Sequence, residues 1–559
     1  MKPLQLLSLS LFSSAVLIGC SPESNEMLEP TVDAASETAE IEAMLHEHIA
    51  VLASDEFEGR APATPGEEKT INYLQSEFEA LGIDPGNGDS YFQSVSVTEI
   101  TTANDAVLTF SGSNYDVELE YATEMIVGSQ QQIPTTSIVD SELVFVGYGV
   151  VAPERDWNDY AGIDVVGKTV VILVNDPGYA TQDPDVFNGN AMTYYGRWTY
   201  KYEEAARQGA AGALIVHETG PAGYGWEVVS GSWSGPQIGL QADNLNSDKN
   251  DIEGWLTLNS AEALFAGAGL NYQQLKATAA QPGFTAVPLG DVTASVAIQN
   301  SVRTSLSQNV IAMIPGTERP TETIIYTAHW DHLGVNAEIL GDNIYNGAAD
   351  NATGTAALLA MAKMHADAGP APRSIVFLAV TAEESGLLGS RWYTEHPVFP
   401  LATTVANINI DVLNTYGPMH DIVVVGNGSS ELEAYLEEAA TAQGRYIVEE
   451  PNPERGYYYR SDHFNFAKAG VPALYAESGE DSVEFGKKWG AEQAQDYNEN
   501  RYHAPSDEYD PNWNLEGAAQ DILLYFDVAS KLSRESSFPN WLEGNEFKGI
   551  RDATSSSRP

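Results

Sequence analysis

Cysteine is all but missing, with one residue, Cys20, in 559. A single thiol closes no internal disulfide, and inside an export signal it reads more simply as an anchor point than as a redox group. Positive charge is also scarce. There are 27 Lys and Arg against 79 Asp and Glu, a formal net charge of −52, which excludes nucleic acid or anionic lipid as the main partner. Apolar residues make up 43% and there are ten Trp, so the acidity belongs to the surface of a folded protein and not to general disorder. No internal repeat is present.

The stretch MKPLQLLSLSLFSSAVLIGC has one Lys, a short apolar run and small residues before Cys20, the pattern of an export signal. Its ending resembles the bacterial lipoprotein signal, in which Cys20 becomes the lipidated first residue. This implies an outer-membrane or periplasmic placement, with the cell surface as an alternative, and a membrane partner through that lipid. Residues 20–40 are acidic and Pro/Ser-bearing, and read as a flexible tether. A chain this long needs more than one core. Residues 41–120 read as the first part of the main domain, 121–290 as a strand-rich insert, 291–545 as the rest of the main domain, and 546–559 as a flexible tail.

The main domain reads as α/β. The apolar run from Thr323 to Ala328 is a buried strand that delivers His329, Asp331 and His332 past its carboxyl end, where open α/β sheets place ligands. Asp350 opens the helical stretch that ends at Gly369. SIVFLAVT (Ser374 to Thr381) runs into Glu383 and Glu384, and the strand from Thr404 to Ile410 ends at Asp411. His329, Asp350, Glu384 and Asp411, with one later histidine, make a nitrogen and oxygen ligand set that suits zinc, with manganese or cobalt as alternatives. Any one of them alone is more often a hydrogen-bonded structural residue. Three strands ending so at one face require three separate accidents.

Consecutive residues in extended chain project to opposite sides, so one of Glu383 and Glu384 can hold metal while the other faces water as a proton acceptor. A solvated acidic turn is the bland alternative. Asp331 could accept the N–H of His329 and fix which ring nitrogen faces the metal; a salt-bridged loop aspartate is the other reading.

TAHWDHLG, NGAADNATG, TAEESGLLGS and NINIDV, in this order, resemble the co-catalytic di-zinc peptidases that include bacterial leucyl aminopeptidases and glutamate carboxypeptidase II. LASDEFEGRAPATPGEEKTINYLQSEFEALGI extends the resemblance, and VFVGYGVVAP through AARQGAAGALIV is similar to the protease-associated domain inserted in such enzymes. The resemblance implies a three-layer αβα sandwich with a mostly parallel central sheet and a β-rich insert. It implies two zinc ions, one on His329, Asp411 and Asp350, the other on His503, Glu384 and Asp350, with a cis peptide from Asp350 to Asn351. Glu383 becomes the general base. His463 competes with His503 for the last ligand position; Tyr502-His503 followed by Asp507 fits the family motif, and His463 fits a loop lining the pocket.

Tyr502 could donate to the tetrahedral oxyanion, or be a packed aromatic. His332, His365, His396 and His420 read as surface or structural residues. The activity implied is release of N-terminal residues from peptides with a free N-terminus. The rivals are a carboxypeptidase, for which Arg455 and Arg460 are the nearby cations, a glutaminyl cyclase-like transferase, and a receptor-like homologue without catalysis.

Overall fold

The structure, a computed structural model, describes residues 32–558. The export signal, Cys20 and the tether up to residue 31 lie outside them. The helix Val32–Leu52 begins nine residues before Ile41, so the tether expected over 20–40 reaches residue 31 at most. From residue 41 on, Ile41, Leu45, Ile49 and Leu52 fall on one stripe and are buried against the helices Thr353–Ala368 and Glu516–Arg534. Each such side chain contributes roughly 1.5–3 kcal/mol, several times a residue's helix propensity, so packing holds this helix and its Ala- and Glu-rich first turns follow.

The central sheet is mixed. Its middle strands, Arg373–Val380, Arg319–His329, Thr404–Asn409 and Ala473–Ser478, are neighbours in that order and run parallel. Antiparallel partners flank them: Val287–Ile314 on one side, Asp421–Val424 on the other. Alternation sorts the side chains into two layers. Ile324, Tyr326, Ala328, Ile375 and Phe377 face the core under the helices just named, while Ile325, Val376, Leu378 and Val380 face Tyr393 and Phe466 on the opposite side. A sheet between two helical layers is the sandwich expected.

The insert is bounded differently from the expected 121–290. Its own core runs from Ala106 to Ile298, because the hairpin Leu108–Gly112 and Tyr115–Leu119 pairs with Thr293–Ser295 and not with the main domain. No linker marks the boundary. Val287–Ile314 is one strand of 28 residues that crosses from the insert's sheet into the central sheet, and Phe92–Thr102 runs antiparallel to its second half from Asn300 to Val310. Within the insert, Thr169–Leu173, Gly212–His217 and Ile252–Thr257 run parallel, with the helix Trp198–Arg207 crossing between the first two. A loop of the insert also touches the main domain directly: Met192 N donates to Pro453 O at 3.0 Å, and Tyr194 packs on Phe464 with ring centres 5.3 Å apart.

The expected tail at 546–559 is not free. Phe547 is buried, the helix Lys548–Ala553 follows it, and the Arg551 guanidinium donates to the carbonyls of Thr404 and Val405 at 2.9 and 3.2 Å. Those carbonyls start a central strand, so the segment is tied to the sheet. Among the described residues no helix is long and apolar enough to cross a membrane.

Candidate metal centre

The strand ends converge. His329 Nε2 lies 3.1 Å from Asp411 Oδ1 and 3.2 Å from Asp350 Oδ1. His503 Nε2 lies 3.0 Å from Glu384 Oε2 and 3.3 Å from Asp350 Oδ2. Asp350 thus turns one oxygen to each imidazole. Ligand atoms of His329, Asp350 and Glu384 all fall within 4.8 Å of one another. The Asp350–Asn351 peptide is cis, as the resemblance implies.

Backbone geometry at these corners is unusual. Ala382, Val412 and His503 have φ of 53°, 59° and 55°, left-handed values that side-chain-bearing residues rarely adopt. Each adjoins or is a candidate ligand or the candidate base, and held strain of this kind clusters where side chains must be aimed. Gly347, at φ 52°, has no alternative: a Cβ there would stand 2.5 Å from the His332 ring.

Around the donors sits a second set of bonds. Asp507 accepts from the amides of Ala349 and Asp350 at 3.1 Å, fixing the turn that carries Asp350. Asn351 accepts from Gly354 N and Val412 N at 2.8 and 3.2 Å, tying that turn to the Asp411 corner. Ser461 donates to Asp411 Oδ2 at 2.6 Å. Arg60, fully buried, donates to the carbonyls of Leu52, Trp330, Asn346 and Gly347 at 2.6–2.9 Å.

The charges account for each shift. Burial raises Asp350, but the hydrogen bonds from His329 and His503 outweigh it and hold the carboxyl well below its ordinary range. Burial and the charge of Asp350 push Glu384 up, and His332 and His503 bring it down to about 2. Burial lowers His503, yet its contacts to Asp350 and Glu384 raise it to about 10. Glu383 goes the other way. Burial, with Asp411, Glu384 and Asp462 nearby against the pull of His329, drives it well above the carboxylate range. Without metal, protons on the imidazoles stand where positive charge is demanded, so the donor set fits a divalent cation in both chemistry and charge.

Glu383, Glu384, Tyr502 and His503 line a cleft of about 1420 Å³ walled by the insert and the main domain. Residues 309–527 match the family described as Peptidase family M28. The chain carries a peptidase family M28 domain. Among curated relatives, aminopeptidase YwaD of Bacillus subtilis (strain 168) is 28% identical over 203 residues, 36% of this chain and 39% of that protein. Aminopeptidase NAALADL1 of Mus musculus is 32% identical over 176 residues, 30% and 21%. The chain therefore spans well under half the length of either relative. Among solved structures, the aminopeptidase from Aneurinibacillus sp. strain AM-1 aligns with a TM-score of 0.47 at 20% identity, over 89% of this chain and 95% of that one. BSAP, a zinc aminopeptidase from Bacillus subtilis, aligns with a TM-score of 0.41 at 18% identity, over 90% and 97%.

Within the M28 domain, the structure brings His329, Asp350, Glu384, Asp411 and His503 together. Two readings change. Asp331 does not take the His329 N–H on its carboxylate: Nδ1 is 3.1 Å from the Asp331 carbonyl oxygen and 3.8 Å from Oδ1. The carboxylate instead accepts from Glu383 N at 3.1 Å, so Asp331 braces the chain at Glu383. Of the two readings open for His332, surface or structural, the structure excludes the first. His332 is buried, with Nδ1 2.6 Å from Glu384 Oε1 and its ring edge-on to His503. The only signal available was its place three residues after His329, in the turn that leaves the same strand, which does not give the direction of that turn.

His463 packs between Tyr458 and Tyr475, and burial lowers it to about 3, a neutral core histidine. His365 is likewise buried, bonded to the Tyr326 hydroxyl at 3.0 Å. His396 is exposed and stacks on Trp392, and His420 is half-buried. Tyr502 stacks on His503 with ring centres 3.9 Å apart. Arg455 bonds the Tyr457 hydroxyl at 3.2 Å and is exposed.

Proposed function

We propose that the protein is a metal-dependent exopeptidase that releases N-terminal residues from peptides, with two zinc ions as cofactor and manganese or cobalt as alternatives. The observation that carries this reading is Asp350, whose two oxygens face two separate imidazoles, each with its own second carboxylate, Asp411 or Glu384. One set of donors would hold each ion. Bound there, zinc supplies a Lewis acid that polarises a peptide carbonyl and acidifies water.

The chain's own residues do the rest. Glu383 accepts the proton of the attacking water on its carboxylate and returns it to the leaving amine nitrogen. Asp331 holds the Glu383 main chain from behind, while its carbonyl receives Nδ1–H of His329, leaving Nε2 free to bind. Tyr502, beside His503 in the cleft, offers a hydroxyl to the oxygen of the tetrahedral carbon. The insert, of protease-associated type, forms the far wall and excludes water.

The purified chain is expected to act on aminoacyl chromogenic substrates and to lose that activity with a chelator. Turnover of N-blocked but not free substrates would sink the reading. The lipoprotein placement is part of the same proposal, and rests on residues 1–20. Labelled fatty acid fed to expressing bacteria should enter the wild-type chain and be absent from Cys20→Ala; equal labelling of both removes the anchor.

A further inference from the structure

The strand Ile252–Thr257 lies inside the insert's sheet, between Gly212–His217 and Met125–Gly128, and five of its six residues are buried. Its second residue is Glu253. Glutamate is depleted from strands, and a carboxylate buried in one costs several kcal/mol unless it is paired. Glu253 is only 2% exposed. Gln130 Nε2 donates to its Oε2 at 2.8 Å, but Oε1 is buried with no partner among the described residues. Burial pushes the group up to about 7, against the bond from Gln130 and the more distant charge of Lys249. A glutamine or a leucine would fill this position at lower cost, so packing does not account for the acid.

The surroundings suit a cation. Opposite Glu253 in register stand Ala213 and Gly128, so no long side chain flanks it within the sheet. Aromatic rings take that space. A Cβ on Gly128 would stand 3.8 Å from the Trp233 ring, whose centre is 5.6 Å from that of Tyr202 and 5.9 Å from that of Trp198. Tyr202 is tied to the same strand, its hydroxyl donating to Gly254 O at 2.8 Å, and the charge of Glu253 acts on it. Ring faces attract a cation, and a carboxylate beside them neutralises it through charge-assisted hydrogen bonds. Glu253 and the three rings line the same cleft as Glu383, Glu384, Tyr502 and His503. A molecule seated at the candidate metal centre therefore shares one cavity with them.

We propose that Glu253, with Trp198, Tyr202 and Trp233, forms a subsite in the insert for an alkylammonium or guanidinium group. That group has two sources. One is a Lys or Arg side chain beyond the released residue, in which case the subsite rests on the exopeptidase reading above and narrows its substrate class. The other is a free diamine held in the cleft.

Two measurements on the metal-loaded full chain separate them. The first is turnover of amidated pentapeptides that begin with Leu and carry a single Lys at one of the later positions, each against its twin with norleucine there. The second is calorimetric binding of 1,5-diaminopentane. Wild type is expected to favour one Lys peptide by about 10- to 100-fold in kcat/KM, the range for a charge-assisted contact, or to bind the diamine. Glu253→Gln keeps the size of the side chain and an acceptor for Gln130; it should bring the Lys ratio below about threefold and weaken diamine binding by about tenfold or more. Trp233→Leu keeps the charge and should weaken either by about two- to fivefold. A Lys preference lost in Glu253→Gln assigns the peptide side chain, diamine binding lost there without a Lys preference assigns the free amine, and either supports the subsite. Ratios near one together with no diamine binding, or a preference or affinity that Glu253→Gln leaves untouched, overturn it. Should none of the peptides release Leu, norleucine twins included, the exopeptidase reading falls by itself, and diamine binding in wild type and Glu253→Gln then decides the subsite alone.

Discussion

Glu383→Gln is expected to keep its metal and lose turnover by about 10²-fold or more in kcat. The amide has the size of the carboxyl and still accepts a hydrogen bond, but it cannot take a proton from water. The substitution leaves the local fold in place, because the chain at this position is held by its own N–H on Asp331 and not by the Glu383 side chain. Glu383 is also only half-buried, facing the cleft, while its neighbour Glu384 is engaged with His332 and His503. Metal content by elemental analysis and kcat on an aminoacyl substrate are the two readings. Full activity would remove Glu383 from the chemistry. Metal loss in step with activity would make it a ligand, and the pairing of roles with Glu384 would have to be exchanged.

Arg60→Met should destabilise the M28 domain by about 3–5 kcal/mol, a large share of the 5–15 kcal/mol that holds a typical domain together. The methionine stem replaces much of the packing. What it cannot replace is the set of hydrogen bonds to four buried carbonyls, of Leu52, Trp330, Asn346 and Gly347. Each is left dry and unpartnered, at about 1–3 kcal/mol apiece before relaxation. The guanidinium is itself costly to bury, which lowers it to about 10 against the opposing field of Asp507, Asp331, Asp350 and Glu384. It persists because it joins the first helix to the turns that carry His329 and Asp350. Urea denaturation of the metal-free variant measures the loss; a change below about 1 kcal/mol would mean that water or a shifted backbone satisfies those carbonyls.

The parts of the site that could be read from the chain were those with a periodic signal beneath them. Apolar runs mark strands, strand ends mark candidate ligand positions, and so His329, the Glu383-Glu384 pair and Asp411 could be singled out from pattern alone. His503 was not. It follows no strand and sits at a left-handed corner, and only its Tyr-His setting and the resemblance pointed to it. Arg60 acts on main-chain carbonyls, which carry no sequence signature, and Asp507 was marked only as part of the motif around His503. His332 was read only as a surface or structural residue, and nothing in the sequence marks that its turn folds inward over Glu384.

The fold divided in the same way. Alternation in the central strands located the sheet, but the edge of the insert was misplaced because the chain crosses it without a break in pattern. SVRTSLSQ, from Ser301 to Gln308, is mostly polar and carries no long apolar run. In the molecule it is the middle of one strand, paired residue for residue with Phe92–Thr102. Tertiary pairing, not local composition, makes it straight.

That continuous strand makes the attachment of the insert stiff in one sense and compliant in another. A pair of flexible tethers would let the far wall of the cleft drift freely; a hydrogen-bonded two-strand ladder resists stretching and in-plane shear, and yields chiefly to torsion about its long axis. Past Asn309 the same strand lies against Ile375–Ala379, whose chain leads directly to Glu383. Torque applied to the wall is thus delivered along a covalent rod to the strand that leads to Glu383.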